Sequence, residues 1–254
     1  MTLSVETCVA SHLGDRPEQQ DRATVFGHPQ HAGMLMAVLA DGMGGHSGGA
    51  MAAEQVLLKA RQNFEMYAPR SETPENLLRE IVDEAHIVIK LTSFTSEKDP
   101  HSTAVVMLLQ PDRIDWVHCG DSRLYHFRDG TLVSKTEDQS LVEQLVRKGV
   151  ISAEAAIDHP HRNVLLSCLG ADKPPKALHG HVGELRAGDA FVLCSDGLWA
   201  YFDDAELGGI VHRRGPRDAA ETLIGHARQR ADGEGDNISV AIVKLVDAAP
   251  AGKR

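Results

Sequence analysis

Leu35-Met36-Ala37-Val38-Leu39-Ala40-Asp41-Gly42-Met43-Gly44-Gly45-His46-Ser47-Gly48-Gly49 is the stretch on which the reading of this chain turns. Its first six residues are apolar, as in a strand buried on both faces. It then breaks at Asp41, with glycine at three of the next four positions. Such a strand fixes the carboxylate, and the glycines let the backbone turn sharply and bring its carbonyls close to whatever the carboxylate holds. Carboxylate and carbonyl oxygens suit a hard divalent cation. Taken alone, the stretch fits a plain strand, turn and helix equally well.

The pattern recurs. Ala190 to Ser195 is a second apolar run and ends in Asp196-Gly197; Ile114 to Cys119 leads into Gly120-Asp121; Gly235-Asp236-Asn237 precedes the run from Ile238 to Val243. A single aspartate beside a glycine is usually a turn residue. Four of them at the edges of the most apolar strands point to a shared acidic site.

Composition narrows the function classes. The 254 residues carry a net charge of −10, which argues against a nucleic-acid binder in need of a basic face. The chain divides at no Pro/Ser-rich linker, so one catalytic domain is expected over residues 1–246, with 247–254 as a frayed tail. Cys8, Cys119, Cys168 and Cys194 form no Cys-x-x-Cys pair, and the 14 histidines form no His-x-x-x-His pair, so a zinc site is not indicated. No apolar run approaches the roughly 20 residues that span a bilayer, and no secretory leader is read at the start. A cytoplasmic, monomeric protein without membrane or nucleic-acid partners is the expectation.

Read in order, Leu3 to His12 and Ala23 to Gly27 are strands flanking a polar loop. Ala50 to Phe64 and the segment starting at Thr73-Pro74 are helices, the second with the stripe Leu77, Leu78, Ile81, Val82, Ala85, Val88 and Ile89. Strands follow over Thr103–Leu109, Arg113–Cys119, Arg123–Arg128 and Thr131–Ser134, with turn signals that predict consecutive hairpins. Helices are expected over Asp138–Lys148, at the start of Ile151–Asn163, over Asp203–His212 and over Pro216–Arg230. Strands are expected over Lys176–Val182, Ala190–Ser195 and Ile238–Val246. Blocks of antiparallel strands with helices outside predict an α+β domain, a four-layer α-β-β-α sandwich with the aspartates along one edge.

An ordered set of segments then resembles the metal-dependent Ser/Thr protein phosphatases of the PPM (type 2C) family in their compact bacterial form. The set is Arg16 with Gln20-Asp21, LADGMGGH at Leu39–His46, Ser102-Thr103, CGDSRLYHFRDG at Cys119–Gly130, HPHRN at His159–Asn163, Leu169-Gly170, LCSDGLW at Leu193–Trp199 and GDNISV at Gly235–Val240. The resemblance implies hydrolysis of phosphoserine and phosphothreonine in proteins by a water held on two Mn²⁺ or Mg²⁺ ions. By position, Asp41 would bridge the ions, the Gly42 carbonyl would ligate the second, Asp196 and Asp236 would hold the first, and Asp21 would orient water from behind them. Arg16 matches the phosphate-binding arginine, Asn237 would position Asp236, and Asp121 would either hold a third ion or serve as a structural turn residue. The implied partner is a phosphorylated protein in signalling opposite a bacterial Ser/Thr kinase, or the kinase itself.

Two closely spaced cations can make water nucleophilic near neutral pH, so no covalent intermediate is required. None of the cysteines has the Cys-x₅-Arg spacing that the thiol route would use. Three positions depart from the family pattern: Gln20 replaces an acidic residue, Met43 replaces the histidine of eukaryotic relatives, and Ala200 replaces an acidic residue near Asp121. His46 reads as a helix-start residue with a structural hydrogen bond, Arg123 as an outward-facing salt bridge, and Ser102-Thr103 as support for the carboxylates. Competing readings are a phosphatase of a small regulatory protein such as an anti-anti-sigma factor, an inactive partner-binding scaffold, and a two-metal nuclease.

Overall fold

The computed structural model describes residues 3–44, 47–93 and 99–248. The first half of the chain holds β1 (Leu3–His12), β2 (Arg22–Gly27), β3 (Leu35–Ala40), β4 (Gly42–Met43), α1 (Ser47–Met66), α2 (Pro74–Ser93), β5 (His101–Ser102), β6 (Ala104–Leu109) and β7 (Arg113–Cys119). The second half holds β8 (Arg123–Arg128), β9 (Thr131–Lys135), α3 (Leu141–Arg147), α4 (Ala153–Ile157), β10 (Leu178–Gly183), β11 (Asp189–Cys194), α5 (Asp196–Trp199), α6 (Asp204–Arg213), α7 (Pro216–Ala231) and β12 (Ile238–Asp247).

Two five-stranded antiparallel sheets result, one ordered β1-β12-β11-β8-β9 and the other β10-β7-β6-β3-β2. The deciding apolar run becomes β3, and its alternation explains why both faces are apolar. Ala37 and Leu39 join Val105, Met107, Phe191, Leu193, Ala241 and Val243 between the sheets. Met36, Val38 and Ala40 face the other way, toward α1 and α2. On the far side, α6 and α7 cover the first sheet through Leu207, Val211, Leu223 and Ala227. These are the four layers expected from the sequence. The stripe on α2 is also found, with His86 buried in it and Val88 only partly so. Thr73 caps that helix, its Oγ1 accepting from the Asn76 N–H at 3.3 Å.

Two expectations are corrected. The Gly120-Asp121 turn does not close a hairpin, because β7 lies in one sheet and β8 in the other. Gly120 has φ +102°, and a Cβ there would stand 2.6 Å from Thr103 Cγ2, so the chain leaves its sheet at a point only glycine can occupy. The hairpins at Gln110–Asp112 and Asp129-Gly130 do form. The helix expected from Asp138 starts instead at Leu141, with the Ser140 Oγ accepting from the Glu143 N–H at 3.2 Å. Asp138 and Gln139 are committed elsewhere, to Arg123 and to Gly120. The expectation for His46, and the tail from 249 to 254, lie outside the described residues.

A charged group sits under the first sheet. Asp189 is fully buried and accepts from Arg128 Nε at 2.7 Å, Arg128 Nη2 at 3.1 Å, His126 Nε2 at 3.1 Å and the Arg186 N–H at 2.8 Å. Burial alone would raise its pKa, but the hydrogen bonds from His126 and Arg128 outweigh that and hold it well below the usual range. A carboxylate of this kind stabilises the fold above the ordinary aspartate pKa and stops doing so as the pH falls. Asp189→Asn should therefore cost about 2–3 kcal/mol at pH 7 by urea unfolding, with Arg128 left able to reach solvent. The gap between variant and wild type should narrow as the pH drops below about 4.

Candidate active site

Both sheets end their central strands at the same edge, and the aspartates gather there. Asp41 follows β3 and Asp21 precedes β2 in one sheet; Asp196 follows β11 and Asp236 precedes β12 in the other. Asp121 stands on the step between the sheets. A cavity of about 720 Å³ is lined by Asp41, Gly42, Asp121, Asp196, Asp236, Asn237, Gln20 and Arg16. Met43, Gly44, Pro17, Glu18, Asn163 and Leu165 complete the wall. Asp21 is buried just behind it and takes a hydrogen bond from Ser195 Oγ at 2.7 Å. The structure thus brings together every residue singled out from the sequence as a candidate.

Backbone hydrogen bonds fix the pieces. The Asp41 N–H donates to Thr103 Oγ1 at 2.9 Å, and the Asp41 carbonyl accepts from the Thr103 N–H at 2.9 Å and from Ser102 Oγ at 3.1 Å. Ser102-Thr103 supports the carboxylate-bearing turn, as expected. Gly42 passes so close to α1 that a Cβ would lie 2.0 Å from the Gly49 carbonyl oxygen.

The loop with Arg16 is stapled to the loop with Asp236 at both of its ends. Asp15 Oδ2 accepts from the Gly235 N–H at 2.7 Å and from Arg228 Nη1 at 2.6 Å. Asn237 Nδ2 donates to the Leu13 carbonyl at 2.7 Å, while its Oδ1 accepts from the Gln20 N–H at 2.7 Å. The Asn237 N–H donates to Asp236 Oδ1 at 2.7 Å. Arg16 Nη2 donates to Asp236 Oδ2 at 2.6 Å.

The sequence reading assigned no role to four members of this machinery. Asp15 and Ser195 carry no signal in the sequence beyond lying next to Arg16 and Asp196. Asn163, at the end of the HPHRN stretch, and Leu165 just after it line the cavity as well. Arg123 is corrected outright. It turns inward, donating from Nε and Nη2 to the two oxygens of Asp138 at 2.8 Å each, with its guanidinium 3.5 Å from the centroid of Trp199. An arginine plane stacks well on indole, which accounts for the inward choice.

The electrostatics of the cavity are those of crowded anions. Burial, then the charge of Asp21, and then Asp196, Asp121 and Asp236, push Asp41 well above the usual carboxylate range. Burial and then Asp196 push Asp121 up to about 8. Burial raises Asp21 to about 7 despite the Ser195 hydrogen bond, and burial with Asp236 raises Asp196 to about 6. Among the described residues Arg16 is the one cationic side chain hydrogen-bonded to this group. Among them too, no three acidic, histidine or cysteine side chains close on a single point, so the fit to a cation lies in charge and donor type. Oxygen donors that repel one another are what a hard divalent cation neutralises.

Comparison with known proteins settles the family. A family profile described as Protein phosphatase 2C matches residues 9–229. The chain belongs to the protein phosphatase 2C family. It is 32% identical to the serine/threonine phosphatase stp of Listeria welshimeri, over 90% of this chain and 91% of that one. The serine/threonine phosphatase of S. agalactiae superposes with a TM-score of 0.86 at 29% identity, covering 96% of this chain and all of the other. A structure of the catalytic domain of the phosphatase PstP in complex with two manganese ions superposes with a TM-score of 0.77 at 28% identity, covering 97% of this chain. As a member of the protein phosphatase 2C family this chain is a metal-dependent serine/threonine protein phosphatase, with phosphoproteins as substrates. Among the described residues no helix is long and apolar enough to cross a membrane.

The raised carboxylates set a pH dependence. The folded chain holds protons on Asp21, Asp121 and Asp196 that the unfolded chain has released, so its stability falls as the pH rises toward 6–8. In chelator, the melting temperature should drop between pH 5 and pH 8. Mn²⁺ should raise it more at pH 8 than at pH 6, because bound cations require the ionised form. Differential scanning fluorimetry across that range checks both signs.

Proposed function

We propose that the cavity at the sandwich edge is the phosphatase site, with residues 1–246 forming one catalytic domain. Asp41 and the Gly42 carbonyl, Asp196 and Asp236 would hold two Mn²⁺ or Mg²⁺ ions. The observation that carries this assignment is the convergence of acidic strand ends from both sheets on one cavity, together with Arg16. When bound, the ions supply Lewis acidity and a nucleophile drawn from water at neutral pH. The chain's own residues do the rest.

Arg16 binds the phosphoryl oxygens. Its guanidinium is half-exposed at the cavity mouth, where its fork can turn from Asp236 to an incoming phosphate. Asn237 fixes the Asp236 carboxylate through its backbone N–H. Asp21 orients water from behind the ligands, its own orientation locked by Ser195. Gln20 sits beside this group, held by Asn237, and contributes an amide where an acid would bring charge. Met43 lines the cavity without a titratable proton, so the leaving alkoxide takes its proton from solvent or from another group of the cavity. A third ion would find Asp121 as its acidic donor; Ala200 brings no side-chain oxygen to it.

The setting inferred is a cytoplasmic monomer opposing a Ser/Thr kinase or acting on the kinase's targets, with no nucleic-acid or membrane partner. Four free cysteines and the acidic net charge support that reading.

Phosphate release from a phosphothreonine peptide should require Mn²⁺ or Mg²⁺ and vanish in chelator. Asp196→Asn, shown to be folded by circular dichroism, should lose more than about 100-fold in rate. Arg16→Ala should chiefly raise KM, roughly tenfold, because it removes a charge-assisted contact to the phosphate. Release that survives Asp196→Asn would mean that other ligands build the site.

A further inference from the structure

Between β9 and β10 the chain makes a long excursion whose two helices have no core of their own. Neither α3 nor α4 buries a single residue. Apart from Leu169, which is buried in the core with α1 and α2, polar contacts at its base hold the excursion over the cavity. Gln139 supplies a dense set of them.

Gln139 is 8% exposed, and all four of its hydrogen-bonding groups are engaged, on three separate segments. Its N–H donates to the Gly120 carbonyl at 2.9 Å, and its Oε1 accepts from the Gly120 N–H at 3.1 Å. Its carbonyl accepts from the Leu166 N–H at 2.7 Å. Its Nε2 donates to the Lys176 carbonyl at 2.7 Å. Gly120 immediately precedes Asp121. Leu166 follows Leu165, which lines the cavity together with Asn163. Lys176 is where the excursion returns toward β10.

A parallel set of contacts grips the other side of the same turn. Asp138, one residue earlier, is held by Arg123. Arg123 stacks on Trp199, whose Nε1 donates to the Asp121 carbonyl at 3.0 Å. The turn bearing Asp121 is thus joined through the one residue Gln139 to Leu166, beside the wall, by its main chain and to Lys176 by its side-chain amide. An apolar side chain at 139 would deprive the buried Gly120 N–H of its acceptor and the Lys176 carbonyl, at the more exposed return of the excursion, of a donor.

We propose that Gln139 is a positioning residue: it sets the Asn163–Leu165 wall in register with the Asp121 turn and so governs how a phosphorylated protein segment seats in the cavity. The inference rests on the phosphatase site proposed above, and its structural readout does not depend on activity.

The test uses the full chain with Mn²⁺ and three variants. Gln139→Met keeps length and removes both side-chain hydrogen bonds. Gln139→His offers one ring nitrogen as acceptor and one as donor. Gln139→Glu keeps the acceptor for Gly120 and loses the donor to Lys176. Amide hydrogen exchange over residues 141–175 is read beside kinetics on a phosphothreonine peptide and on p-nitrophenyl phosphate.

Gln139→Met should speed exchange in that segment by about tenfold. It should raise the peptide KM by roughly five- to tenfold, with kcat on the small ester within about twofold. Gln139→His should restore both. If Gln139→Met does not fold, Gln139→Glu carries the test, with faster exchange over 164–175 and a raised peptide KM expected. Wild-type exchange and peptide KM in a folded variant overturn the proposal, as does equal loss on both substrates without a change in exchange. If wild-type protein hydrolyses neither substrate, the site assignment fails, while the exchange result still decides the role of Gln139.

Discussion

The constraint on which the site depends is the repulsion among five aspartates that the fold does not allow to separate. Asp21, Asp41, Asp121, Asp196 and Asp236 come from two sheets, and four of them sit at the ends of strands. The strands behind them are buried by apolar contact alone: β3, β6 and β11 have almost no exposed atoms. Hydrophobic burial is indifferent to the charge carried at a strand's tip, and it is large enough to hold anions where they would not gather by themselves. The resulting strain appears as protonation shifts rather than as distorted backbone. A divalent cation bound there would relieve it, in keeping with the metal dependence of the family.

Holding like charges together also requires that the loops between strands be specified. Side-chain hydrogen bonds to backbone do this. Thr103 and Ser102 fix the Asp41 turn, Asn237 and Asp15 join the Arg16 loop to the Asp236 loop, and Ser195 orients Asp21. Each of these residues is polar, half or fully buried except Asp15, and placed where an unsatisfied peptide group would be costly. The site is therefore surrounded by a ring of hydrogen bonds, most of them from neutral side chains, that set its geometry.

Much of this was legible in the sequence. The apolar runs ending in aspartate marked the central strands, and the alternation within Leu35–Ala40 is what a strand between two apolar layers requires. The candidate ligands could be read because each combined a strand end, an acid and a glycine. What could not be read depended on partners distant along the chain. Gly120-Asp121 carries a hairpin signature, and only the crowding against Thr103 shows that the chain changes sheets there. Arg123 reads as a surface charge until Trp199 and Asp138 are seen to enclose it. Asp138 and Gln139 look like the opening of a helix, because nothing local reveals that they are already engaged. Helical spacing and turn chemistry are local properties; which long-range partner captures a polar side chain is not.

The pairing of β1 with β12 has a consequence for how the molecule comes into being. Leu3 lies opposite Asp247 and His12 opposite Ile238, so the first and last strands of the fold are neighbours. The loop bearing Arg16 leaves from the end of β1, and Asp236 directly precedes β12. Contacts so remote in sequence form late and slowly, and on the ribosome they must wait for the final segment to emerge. An unfinished chain can assemble the sheet with β3, β6 and β7 and still lack half of its acidic edge. With the ligands proposed above, the binding of phosphate and metal waits for β12, the strand that Asp236 precedes.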